Sequence, residues 1–324
     1  MKIEDLFKDK EDLTVAFLGG SITEGTNKAT PGKFYVDIVG NEFKKHFKNT
    51  KIVNAGWGGT GTDFGLYRVQ KDICAFNPDI VFIEFACNDV VLNNHSSMKY
   101  LDSIIGILQS LPKLPYICLI YTTDNVYHTR INEHNVVAKH YGIPAINICE
   151  HIRELVDAKK ISFEEIFGDA IHPNNYGYEI YSRFIIEKIF DETESCLKYA
   201  STKKPLFTPQ IKNPGFVSVD EATINGESKK CKLVNKHLPA ATELKKGETL
   251  TFTFEGSGIG VVCEDMYLFG TAKYSVDDKI EGVFSAEPYV IDLLIHGLTN
   301  GKHEIKLEVI SDEPMRIGAF AVNG

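Results

Sequence analysis

A serine hydroxyl becomes a useful nucleophile only when a base takes its proton, and that base is usually a histidine held by a carboxylate. One serine stands where such chemistry could occur, in Thr14-Val-Ala-Phe-Leu-Gly-Gly-Ser21-Ile-Thr-Glu-Gly25. An apolar run ends there in two glycines, which let the backbone turn sharply and leave room beside Ser21. The chain has 10 histidines, and the one with a carboxylate at a useful spacing lies in Gly168-Asp-Ala-Ile-His172-Pro173-Asn174. Gly168 and Pro173 mark a loop, in which Asp169 can hold one imidazole nitrogen while the other faces outward. A plainer reading makes both stretches helix starts, with Ser21 and Asp169 as caps and His172 on the surface.

Acyl transfer also needs donors for a developing oxyanion. Asn54-Ala-Gly-Trp-Gly-Gly-Thr60 ends an apolar segment with three glycines, so a backbone N–H there can approach a substrate closely. Phe85-Ala-Cys-Asn-Asp89 ends another with Asn88, whose side-chain amide can donate; its plainer reading is capping by Asn88 or Asp89.

The elements that must position these residues follow from periodicity. Strands are expected at Val15–Leu18, Lys51–Ala55, Ile80–Ala86, Tyr116–Tyr121 and Pro144–Ile148. Between them, Phe34–Phe47, Asp63–Phe76, Ser97–Leu111, Tyr127–Tyr141 and Asn175–Phe190 show helical spacing. Ile80–Ala86 and Tyr116–Tyr121 are apolar on both faces, as strands of a covered parallel sheet are. Alternation of this kind implies an α/β domain with helices on both faces, and ligands there bind beyond the carboxyl ends of the strands. After a polar connector at Asp191–Lys204 the period becomes two: Leu250–Phe254, Gly258–Cys263, Ala272–Val276, Tyr289–Ile295, Ile305–Val309 and Met315–Val322 read as short strands. Asn300-Gly301 reads as a hairpin turn. The expected domains are residues 1–195 and an all-β sandwich over residues 205–324.

Four of these stretches, in this order, resemble the four blocks of the SGNH (GDSL-type) esterase/lipase superfamily: Gly-Gly-Ser21-Ile-Thr, Asn54-Ala-Gly-Trp-Gly-Gly59-Thr, Ala86-Cys-Asn88-Asp89 and Asp169-Ala-Ile-His172-Pro. The likeness spans Leu13–Phe190. It implies a flavodoxin-like three-layer α/β/α domain around a parallel five-stranded sheet. It also implies that Ser21 is the nucleophile, His172 the general base and Asp169 its orienting carboxylate. The Ser21 N–H, the Gly59 N–H and the Asn88 side chain would form the oxyanion hole. Gly20 replaces the Asp of the family name and Ala86 a usual Gly; neither position supplies a catalytic atom. The family uses no metal or organic cofactor, and none is expected here. The second domain resembles the jelly-roll modules that accompany some carbohydrate esterases, with Tyr267, Phe269 and Tyr289 as candidate sugar-stacking aromatics.

Composition narrows the alternatives. A net charge of −9 argues against nucleic acid and anionic lipid. No apolar run is long enough to span a bilayer, and the charged N-terminal stretch does not read as a secretory signal. Seven scattered cysteines without a CxxC pair suggest neither a disulfide framework nor zinc, which fits a cytoplasmic protein. Gly56-Trp-Gly-Gly-Thr-Gly61 matches a dinucleotide fingerprint with Glu84 as the ribose-binding acid, but it follows the second strand instead of the first. Gly20–Gly25 has the glycine spacing of a P-loop but Thr26-Asn27 where Lys-Ser/Thr is needed. An α/β-hydrolase elbow would need Gly at Thr23. The expected function is hydrolysis of small acyl esters, with O-acetylated carbohydrate the leading substrate class. Polar loops at Thr26–Pro31 and Asn93–His95 would shape the mouth. A short-chain lipase or thioesterase and a non-catalytic carbohydrate-binding protein are the alternatives; oligomeric state is left open.

Overall fold

The computed structural model describes residues 3–191, 204–231, 238, 241–263, 269–287 and 291–324. It divides into two compact units, residues 1–65 with 69–210 and residues 66–68 with 211–324.

The first unit follows the chain as α1 (Ile3–Phe7), β1 (Asp12–Gly19), α2 (Ser21–Glu24), α3 (Tyr35–His46), β2 (Asn49–Gly56), α4 (Thr62–Asp72), β3 (Ile80–Glu84), α5 (Asn94–Gln109), β4 (Tyr116–Tyr121), α6 (Ile131–Tyr141), β5 (Ala145–Asn147), α7 (Ile148–Asp157), α8 (Phe163–Ile166) and α9 (Asn175–Ile186). The five strands are parallel in the order β2-β1-β3-β4-β5, the flavodoxin-like arrangement. Every residue of β3 and β4 is buried, which is why their sequences run apolar without alternation. Val15, Phe17, Ile80, Phe82, Cys118, Ile120 and Ile146 join one core with Val39 and Phe43 of α3 and Tyr178, Tyr181 and Ile185 of α9. The intervening residues, such as Leu18, Ile83 and Leu119, are equally buried and point to the opposite face. The chain goes from β1 to β2 on one side and then returns to place β3 on the other. The carboxyl ends of β1 and β3 therefore flank the switch point of the sheet, where α/β proteins bind their ligands.

Among the boundaries that differ from expectation, two have a clear local cause. Residues 127–130 stay outside α6, because the Asp124 carboxylate takes the N–H groups of Val126 and His128 and Tyr127 adopts φ 61°. Helix α7 follows β5 without a loop, its first turn capped by Asn147, so the apolar Ile148 opens a helix instead of ending a strand. The expected connector lies mostly outside the described residues. Residues 204–210 pack along α5, where buried Asp102 accepts from Leu206 N, Phe207 N and Tyr141 Oη. The Gln210 amide donates to the Asp102 carbonyl at 2.8 Å.

The second unit is antiparallel: β6 (Pro214–Ser218), β7 (Thr223–Asn225), β8 (Lys229–Lys230), β9 (Thr242–Leu244), β10 (Thr249–Cys263), β11 (Thr271–Val276), β12 (Ile280–Ser285), β13 (Leu293–Val309) and β14 (Met315–Asn323). Leu250–Phe254 and Gly258–Cys263, expected as separate strands, are halves of the single strand β10. Its first half pairs with β7 and its second with β14, with a register shift at Gly256–Gly258. That change of neighbour folds the sheet over one core, across which Phe252 stacks on Phe320 with centroids 4.1 Å apart. The hairpin expected at Asn300-Gly301 is a correction. Both residues lie inside β13, and residues 297–300 bulge opposite Ser257 where β13 passes the same shift, so the turn chemistry serves a bulge. Phe269 is exposed, whereas Tyr267 and Tyr289 lie outside the described residues. Among the described residues no helix is long and apolar enough to cross a membrane.

Candidate active site

Strand β1 delivers Ser21 to the switch point. Gly20 occupies the N-cap position of α2, and Ser21 makes no capping bond. Instead its Oγ lies 2.8 Å from His172 Nε2, joining residues from opposite ends of the domain sequence. A Cβ at Gly20 would stand 2.3 Å from the Asn88 Oδ1, so the Asn88 side chain would have to shift to admit one. Ser21 itself is buried, at 9% exposure.

The loop carrying His172 is closed at its base by the bridge between Phe167 and Pro173 and by Gly168 N donating to His172 O. Asn125 N donates to Ala170 O and holds it from the side. Within the loop, Asp169 Oδ1 accepts from Ile171 N and His172 N, and the His172 Nδ1 lies 2.9 Å from Asp169 Oδ2. The role of capping α9 falls to Asn174, which accepts from Tyr176 N and Gly177 N. Burial alone would raise the Asp169 carboxyl. The His172 ring N–H and the backbone N–H groups of His172 and Ile171 outweigh it and hold the carboxyl well below the usual range. An ionised carboxylate only accepts, so Nδ1 carries the proton and Nε2 turns its lone pair to the Ser21 hydroxyl.

Asn88 opens a short 3-10 turn after β3. The glycine turn after β2 stands on the other flank of Ser21: a Cβ on Gly58 would lie 3.7 Å from Ser21 Cβ, and Gly59 adopts φ 77°, the left-handed region. Among the described residues the N–H groups of Ser21 and Gly59 and the amide of Asn88 meet no acceptor in the protein, so all three remain able to donate. The loop at Thr26–Pro31 borders the site, with Thr30 N bonded to Asn175 Oδ1 and Lys28 Nζ 3.6 Å from Asp169. In the other expected mouth loop Asn93 caps α5 and His95 packs edge-on against Phe207.

Below this surface lies a polar layer in which Glu84, Asp89 and Thr23, named in the sequence in other roles, meet partners that no sequence pattern marked. Glu84, fully buried, accepts from Thr23 Oγ1 at 2.8 Å and Thr122 Oγ1 at 2.6 Å, and Tyr35 Oη meets Thr23 Oγ1 at 2.7 Å. Burial pushes the Glu84 carboxyl up to about 7 against those two hydrogen bonds. Glu84 cannot reach a ribose from there, and Gly58 N is already bonded to the Glu24 carboxylate, so the glycine turn is no dinucleotide cradle. Asp89, also buried, accepts from Thr62 N, Thr62 Oγ1, Ser97 Oγ and His134 Nε2, tying the Asn88 turn to the start of α4. Among the described residues no group of three His, Cys, Asp or Glu side chains could hold a metal ion.

The model of the GDSL-like lipase/acylhydrolase family matches residues 17–180, half of the chain. No curated protein sequence matches it. Its fold is similar to that of a two-domain esterase (CEX) active on acetylated mannans, at TM-score 0.83 and 24% identity, covering 99% of this chain and 94% of that one. The same esterase co-crystallized with mannopentaose gives TM-score 0.81 and 24% identity over 99% and 93% of the two chains. These likenesses agree with the α/β domain followed by an all-β unit. The match across all four sequence blocks places the chain in the GDSL-like lipase/acylhydrolase family, as a carboxylic ester hydrolase.

Proposed function

We propose that this protein hydrolyses short acyl esters, acetyl groups on carbohydrate first among them, through an acyl-enzyme on Ser21. One observation carries the reading: the hydrogen-bonded chain from Ser21 Oγ through His172 to Asp169, at 2.8 Å and 2.9 Å. His172 Nε2 takes the hydroxyl proton as Ser21 Oγ attacks the ester carbonyl. Asp169 holds the imidazolium that forms. The tetrahedral oxyanion is bound by the N–H groups of Ser21 and Gly59 and the amide of Asn88. Collapse breaks the bond to the alcohol oxygen, which leaves with the proton from His172. Water then gives a proton to the same Nε2 and attacks the acyl carbon, releasing the carboxylic acid and restoring Ser21.

The carbohydrate assignment is supported by the polar mouth loop at residues 26–31 and by the likeness to an esterase active on acetylated mannans. The test is acetate release. Ser21→Ala and His172→Ala, both folded, should lose hydrolysis of p-nitrophenyl acetate, and full activity in Ser21→Ala would refute the mechanism. A screen of acetylated saccharides against acyl esters of increasing length tests the substrate. Reaction with long acyl chains alone would instead identify a lipase.

A further inference from the structure

The glycine turn that presents Gly59 is held by three successive backbone donors. Gly56 N bonds to Asn54 Oδ1 at 2.9 Å, and the Asn54 amide reaches Thr23 O at 3.0 Å. Trp57 N bonds to Gly19 O at 3.0 Å. Gly58 N bonds to Glu24 Oε2 at 2.6 Å, a short, charge-assisted bond. Beyond it the chain reverses at Gly59 and is closed by Thr60 N and Thr60 Oγ1 on Trp57 O. Glu24 is the last residue of α2, and Ser21 is the first. The one-turn helix that presents the hydroxyl therefore also carries the carboxylate that grips the peptide next to Gly59.

We propose that Glu24 is a positioning residue for hydrolysis, fixing the Gly59 N–H relative to Ser21 so that it meets the oxyanion. The inference rests on the acyl-enzyme mechanism proposed above. The Glu24 carboxylate touches no reacting atom; its work is done through Gly58 N–H. Loss of this grip frees the turn and weakens a donor that acts in the transition state, so kcat falls while KM holds.

The test is steady-state hydrolysis of p-nitrophenyl acetate by Glu24→Ala, Glu24→Gln and Ser21→Ala, with thermal unfolding as the folding control. Removing one oxyanion donor outright costs about 10²–10³ in kcat, so loosening it should cost about 10–100-fold in Glu24→Ala, with KM within about twofold. The pH midpoint of kcat should stay in place, because His172 and Asp169 are untouched. Glu24→Gln keeps an acceptor oxygen and should remain within about threefold of the parent. Should Glu24→Ala fail to fold, Glu24→Met, of similar length but without the acceptor, carries the same comparison. Parent-like kcat in the alanine or methionine variant overturns the inference, as does an equal loss in the glutamine variant. Persistent activity in Ser21→Ala would instead overturn the mechanism beneath it.

Discussion

Glu84→Gln isolates the cost of an acid placed under the site. The carboxyl sits at about 7 in the folded chain against an ordinary value of 4.5, because the group is fully buried. The folded state therefore holds the proton more tightly than the unfolded state. The group's stabilising contribution is complete below about 4.5 and is lost as pH rises through about 7. At ~1.4 kcal/mol per pKa unit, the parent should lose about 2–3 kcal/mol from this group between about pH 5 and pH 8. Glutamine keeps the shape, accepts from one threonine and donates to the other, and carries no titrating proton. Urea unfolding of both proteins at several pH values measures the difference directly. The gap between Glu84→Gln and parent should move in favour of the variant by about 2–3 kcal/mol across that range. A gap that stays constant with pH would refute the reasoning. It would mean that Thr23 and Thr122 stabilise the carboxylate enough to cancel its desolvation.

Three other substitutions probe separate parts of the architecture. Asp169→Asn would present an amide to Nδ1 and favour the wrong tautomer of His172, so kcat should fall about 10²–10⁴-fold while circular dichroism stays unchanged. Asn88→Ala should lower kcat about 10²–10³-fold, as loss of an oxyanion donor does; a negligible effect removes Asn88 from that role. Asp102→Ala strips the acceptor from Leu206 N, Phe207 N and Tyr141 Oη, and should cost about 2–4 kcal/mol in chemical denaturation without altering kcat.

Much of the fold could be read from local pattern because its causes are local. The two-sided apolar runs of β3 and β4 have one physical explanation, a covered parallel sheet, and both strands appear where the sequence puts them. Three of the four blocks were legible for a related reason: each lies at the end of an apolar run, with a glycine or asparagine at the turn, whereas the fourth stands in a loop marked by Gly168 and Pro173. Long-range partners left no such trace. His134 reaches Asp89 across 45 residues and Gly58 reaches Glu24 across 34, and neither pair has a periodic or spacing signal. Glu84 did carry a signal, a charge inside an apolar strand, but its partners Thr23 and Thr122 come from two other strand ends. In the second unit Asn300-Gly301 misled because turn residues suit a bulge as well as a hairpin. Only the pairing of β13 across residues 293–308 distinguishes them.

The buried acids share one geometric task. At the switch point, side chains from three strand ends must meet, yet the parallel sheet bonds those strands only below that level. Past Gly20 and Trp57, whose N–H groups bond Glu84 O and Gly19 O, the main-chain ladder stops. What joins the loops above it is polar: Glu84 to Thr23 and Thr122, Asn54 to Thr23 O, Glu24 to Gly58, Asp89 to Thr62. Apolar packing could bury the same loops, but it is non-directional and tolerates sliding, whereas an oxyanion donor must be held within a few tenths of an ångström. Hydrogen bonds to carboxylates supply that direction at a cost in desolvation, and Glu84 shows the cost in its raised pKa. Ser21 is thus placed by Gly20 beneath it and His172 above it, while Glu24 on its own helical turn reaches across to Gly58, the residue before the proposed oxyanion donor Gly59.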